Sequence, residues 1–135
     1  MADTMYARKT RTRCVTGSAT LNEVKAGKYV LPPFGGAYII TGGWMRAVGA
    51  DCATATSVNI NDDTPTTPIV GVAIAVGPLD NGVVVDFDAA ANVTRTTYGD
   101  EFAYGRGLVI EDAGTALTGP TTIDYCIFYT RVSGS

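Results

Sequence analysis

Glycine and proline cut this chain into strand-sized pieces. Sixteen Gly and six Pro recur roughly every 8–12 residues, between runs rich in Thr, Val and Ile. Those three β-branched types make up 41 of 135 residues, stiff at χ1 and suited to a pleated surface. Straight-chain helix formers are scarce, with five Leu, three Glu, three Lys, three Met and no Gln. By length the chain is one domain, large enough to hold a core without disulfide or metal staples. The expected fold is all-β: a single-domain β-sandwich or jelly roll of seven to nine short strands, residues 15–135, behind an extended N-terminal arm, residues 1–14.

Along the chain, Val15 to Val24 reads as a first strand and Lys28 to Leu31 as a short one stopped by Pro32-Pro33. Ala37 to Val48 is the strongest long strand. Its even positions, Tyr38, Ile40, Trp44 and Val48, hold most of the bulk, and Gly42-Gly43 in mid-run marks a bulge or a close backbone approach. Trp44 is accordingly expected in the core. Thr54 to Ile60 alternates, and Asn61 to Pro68 is loop by every local signal. Ile69 to Val76 is apolar on both sides, with Gly71 and the β-branched content favouring a strand over a helix. Asp80-Asn81-Gly82 is a turn, followed by a strand from Val83 to Asp88. Residues 89–103 are irregular, with a helical turn near Ala89–Asn92. Tyr104 to Glu111, a short edge at Thr115–Leu117 and a last strand from Thr121 to Val132 complete the set.

Charge divides the chain unequally. Six of ten basic residues lie in the first 28 positions against Asp3 and Glu23, leaving that stretch at +4 and the rest at −7. Between Met1 and Cys14 the only sizeable apolar groups are Met1, Met5 and Tyr6. Ordering 14 such residues costs roughly 15–25 kcal/mol, more than so little apolar surface returns, so a surface outside the arm must hold it. At about 45–50 Å when extended, the arm is long enough to cross onto a neighbouring subunit. Arg8, Lys9, Arg11 and Arg13 are its candidate contact residues. Three readings stand: neutralising nucleic-acid phosphates, lying across an acidic protein surface, or remaining a solvated tail. An acidic protein surface, including the body of another copy, is favoured, because the −7 body repels a polyanion. No apolar run approaches the length of a membrane span, so no membrane partner is expected.

Catalysis has little to work with. The sequence has no His, which excludes Ser-His-Asp and Cys-His arrangements and leaves a zinc site without its usual ligands. The acidic pairs Asp62-Asp63, Asp86-x-Asp88 and Asp100-Glu101 read as solvated turn acids. Asn61, Asp62 and Asp63, or Asp86 and Asp88, are the oxygen clusters a calcium ion would choose, without the fixed spacing of a known loop. No metal and no cofactor is expected. Cys14, Cys52 and Cys126 lack any C-x-x-C spacing and read as reduced thiols, with a cross-link from Cys14 to a neighbouring subunit as the alternative.

The segment Leu31-Pro-Pro-Phe-Gly-Gly-Ala-Tyr-Ile-Ile-Thr-Gly-Gly-Trp-Met-Arg-Ala-Val48 is similar to the opening of small structural proteins of tailed bacteriophages. The ending Gly107-Leu-Val-Ile-Glu-Asp-Ala-Gly-Thr-Ala-Leu-Thr-Gly119, with a strand finishing Tyr129-Thr-Arg-Val132, resembles the same class. The resemblance implies a capsid decoration (cement) protein: a compact β domain, often trimeric, on the outer shell of a virion assembled in the host cytoplasm. Its partners would be the major capsid protein and further copies of itself. A tail- or fibre-associated sandwich that binds a receptor or glycan is the alternative. In that case Tyr98, Phe102 and Tyr104 should line a concave aromatic site.

Overall fold

The computed structural model describes residues 12–89 and 91–133. Among them are nine strands and one helix: β1 (Arg13–Thr20), α1 (Leu21–Ala26), β2 (Lys28–Leu31), β3 (Gly36–Val48), β4 (Ser57–Asp62), β5 (Val70–Ala75), β6 (Val84–Asp86), β7 (Val93–Thr94), β8 (Leu108–Ala113) and β9 (Thr122–Ser133). They form two antiparallel sheets, ordered β1-β9-β3-β6 and β2-β8-β4-β5-β7. The protein is an all-β sandwich of one domain. No helix among the described residues is long and apolar enough to cross a membrane.

One apolar core fills the space between the sheets. Tyr38, Ile40, Met45 and Ala47 of β3 and Ile123, Tyr125 and Ile127 of β9 meet Val58, Ile60, Val72, Ile74, Leu108 and Ile110 from the other sheet. Each large aliphatic side chain buried this way contributes about 1.5–3 kcal/mol. The connections are pinned by Leu79, Phe87, Phe102 and Leu117, none more than 2% exposed.

An extra residue at Thr41, just ahead of the glycine pair of β3, reverses which side chains face that core. The register of β3 against β9 slips between Ile40 and Gly42, so one residue is extra. Ahead of the slip the even positions Tyr38 and Ile40 point inward; beyond it the odd positions Met45 and Ala47 do. A one-residue slip turns every later side chain to the other face. Trp44, expected in the core beside Tyr38 and Ile40, is therefore half-buried on the outer face.

Other differences from the sequence reading have equally local causes. The first strand ends at Thr20, because Thr20 and Glu23 form a capping box: the Thr20 hydroxyl accepts from the Glu23 amide and the Glu23 carboxylate from the Thr20 amide. Leu21 to Val24 are thus helical, and Val24 plugs the core. Asn61 and Asp62 belong to β4, not to the loop after it. Strand β8 starts at Leu108, later than Tyr104, and the expected edge near Thr115–Leu117 is reduced to an isolated bridge between Ala53 and Thr118. At the sheet edge, Lys28 Nζ donates to the Ser18 carbonyl of β1 at 2.9 Å, blunting the upper half of that open strand.

Candidate functional site

The pairing registers set the outer face of the β1-β9-β3-β6 sheet in three rows. Cys14, Phe128 and Gly42 form one; Thr16, Cys126, Trp44 and Asp86 the next; Ser18, Asp124, Arg46 and Val84 the third. This face is apolar at its centre. Phe128 lies over Gly42, where a Cβ would come within 3.2 Å of its ring, and remains 40% exposed. Val84 is 51% exposed. Arg46 sits 5.7 Å from the Trp44 ring and donates to Asp124 at 2.7 Å.

That hydrogen bond from Arg46, with its charge, holds the Asp124 carboxyl below the usual carboxylate value, partly offset by burial. A carboxylate whose folded pKa is depressed adds stability in full above its unfolded value near 3.8 and loses it as pH falls through the lower folded value. Arg46→Met should therefore lower stability by up to about 1 kcal/mol at pH 7, and the gap to wild type should close below that value. Urea titrations at neutral pH and in acid check this.

The arm residues divide. Arg8, Lys9 and Arg11 lie outside the described residues; Arg13 opens β1 opposite Tyr129 and is exposed. Cys14, placed on the arm by sequence, stands in the same strand, with its Sγ 3.2 Å from Cys126 Sγ. Burial, then the facing Cys14 thiol, pushes the Cys126 thiol up to about 11.

Of the acidic pairs, Asp86, Asp88, Asp100 and Glu101 are exposed as expected, and Asp62-Asp63 is the one drawn into the protein. Asp62 was expected among the solvated acids, yet it is 1% exposed. Its Oδ1 accepts from the amides of Thr64 and Ile69, and its Oδ2 from the Thr64 hydroxyl, which closes the β4–β5 loop. Asp63 accepts from the Tyr29 hydroxyl at 2.7 Å, and that bond raises the Tyr29 pKa. Arg106 approaches Asp63 at 3.6 Å. An open cleft of about 380 Å³ lies here, with Asp63, Glu111, Tyr29 and Thr66 on its walls. Asp86 accepts from the Asp88 amide, and Asp88 from Tyr98 and Arg95. Among the described residues no three His, Cys, Asp or Glu side chains gather where they would hold a metal ion.

The aromatic trio does not make a platform. Phe102 is in the core, and the Tyr98 hydroxyl is spent on the Thr41 carbonyl and Asp88. Burial and the Asp88 bond push the Tyr98 pKa up to about 12. Only Tyr104, 55% exposed, is free to stack on a ligand. The outer face with Trp44 and Phe128 was missed by sequence reading, because the side on which Trp44 lies depends on where the β3 slip falls.

No protein-family description and no curated protein matches the sequence. In three dimensions the chain is similar to a chain of the acidic stable capsid structure of Helicobacter pylori bacteriophage KHP30. The sandwich is a fold shared with a phage capsid. The superposition has a TM-score of 0.57 at 15% identity and spans 94% of this chain and 91% of that one. At that identity the likeness is one of fold, and its span takes in both sheets.

Proposed function

We propose that this chain is a non-enzymatic structural protein of a tailed-phage virion that decorates the outer capsid surface and bridges coat subunits. The observation that supports it most is the fold held in common with a phage capsid chain over nearly the full length of both. In this reading the partners are a major capsid protein and further copies of the chain itself, with a homotrimer as the expected assembly. Arg8, Lys9, Arg11 and Arg13 meet acidic coat surface, and the apolar outer face around Phe128 and Trp44 is available to a neighbour. Many symmetric copies then turn individually weak contacts into firm retention.

Truncation tests the arm. Removing residues 1–12 leaves Arg13 and Cys14 paired with Tyr129 and Phe128, so β1 survives. Retention on purified heads should fall by about tenfold or more, while the β-rich circular dichroism is unchanged. Undiminished retention overturns the role of the arm. Absence of the full-length chain from purified heads overturns the capsid reading.

A further inference from the structure

We propose that Cys14 and Cys126 are a site of oxidative modification: facing thiols that close to an intramolecular disulfide and staple β1 to β9. The two residues are 112 positions apart, yet the β1–β9 register brings their Sγ atoms to 3.2 Å on the same outer face. A disulfide needs about 2.05 Å, so the sulfurs must approach by about 1.1 Å, and because Cys14 pairs with Phe128 and Cys126 with Thr16 the bond joins diagonal neighbours and draws β1 along β9. Among the described residues β1 is at the sheet edge and pairs only with β9, which makes it the freer of the two strands to move. Accessibility assigns the order of events. Cys14 is exposed and Cys126 is 5% exposed, so an oxidant in solution reaches Cys14 first.

With a low-molecular-weight disulfide as oxidant, the Cys14 thiolate attacks one sulfur and forms a mixed disulfide, expelling the first small thiolate. Cys126 then gives up its proton and attacks Cys14 Sγ, expelling the second. Two cysteine thiols are oxidised, one small disulfide is reduced to two thiols, and the two released thiolates take up the two protons. Cys52 stays out of the exchange: it is 7% exposed, and burial with Asp51 and Asp80 nearby pushes its thiol up to about 11.

The test treats the full chain with glutathione disulfide and compares it with the reduced form. The expected product runs as a single chain on a denaturing non-reducing gel, is lighter by two hydrogen atoms, and yields on digestion a Cys14–Cys126 linked peptide. Its melting temperature should rise by about 5–10 °C, because the bond closes a loop of more than a hundred residues in the unfolded chain. Cys52→Ser should show the same linked peptide and the same rise over its own reduced form, whereas Cys14→Ser and Cys126→Ser should show neither. Cys14→Ser alters only an exposed position, so its folding is not at issue. A stable glutathione adduct on Cys14 without the linked peptide, or a dimer joined through Cys14, overturns the proposal.

Discussion

Replacing Gly43 by alanine should cost about 3–5 kcal/mol, a large part of the 5–15 kcal/mol that holds a domain of this kind together. Two independent penalties meet at this position. Its φ of +144° lies in a region that L side chains rarely adopt, and strain there costs about 1–3 kcal/mol. A Cβ would also collide with the Cys126 carbonyl oxygen and come within 2.6 Å of the Phe87 ring. Overpacking of that kind adds about 1–3 kcal/mol. Two controls separate the terms. Gly82 has φ of +78° with nothing near its would-be Cβ, so Gly82→Ala should show backbone strain alone. Gly35 has open space and no positive φ, so Gly35→Ala should be nearly neutral. Pairing Gly43→Ala with Phe87→Leu should recover little, because the clash with the carbonyl is with backbone. Denaturant unfolding of the four variants checks the order. A Gly43→Ala protein as stable as Gly35→Ala would mean that the β3 slip is not held where it is described.

Asp62→Ala should be the most damaging change at a polar side chain, at about 3 kcal/mol. It removes three hydrogen bonds to the buried carboxylate, from the amides of Thr64 and Ile69 and from the Thr64 hydroxyl, each worth about 1 kcal/mol net. Asp62→Asn is the discriminating variant. Both amides bond the same oxygen, Oδ1, which an asparagine retains, and the Thr64 hydroxyl can turn to accept from the new NH₂. Its cost should stay under about 1 kcal/mol. If the two variants melt together, the carboxylate is not what closes the β4–β5 loop. The expected signature of Asp62→Ala beyond the melting curve is faster amide exchange at Ile69.

Where neighbouring residues decide the structure, the sequence is legible. Alternation in β4, the apolar stretch of β5 and the long run of β9 name their strands, and turn residues bound them. Even α1 was readable in principle, since Thr20-x-x-Glu23 is a capping-box pattern, but β-branched content on either side drew the reading toward a strand. The face of Trp44 was not readable. It depends on whether an extra residue is accommodated ahead of position 44 at all, and a glycine pair is equally compatible with an unbroken ladder; the register places the extra residue at Thr41. The burial of Asp62 was hidden for a related reason: Asp-rich segments near proline are usually solvated, and only the fold reveals which carboxylate turns back to gather loop amides. The charge imbalance of the first 28 positions is visible in the sequence, whereas most of the arm it suggests lies outside the described residues and its last two positions, Arg13 and Cys14, belong to β1. The meeting of Cys14 with Cys126 was not visible, because strand order is a long-range property that no local pattern encodes.

The long β3–β9 pair gives the molecule a grain. Twelve positions of β3 are matched with β9, side by side at the middle of their sheet. A load applied lengthwise must shear that whole ladder at once. A load applied crosswise peels β6 or β7, with three and two residues, one bond after another. Tension delivered through the end of β1 enters along the strong direction, since β1 lies lengthwise against β9 over eight matched positions.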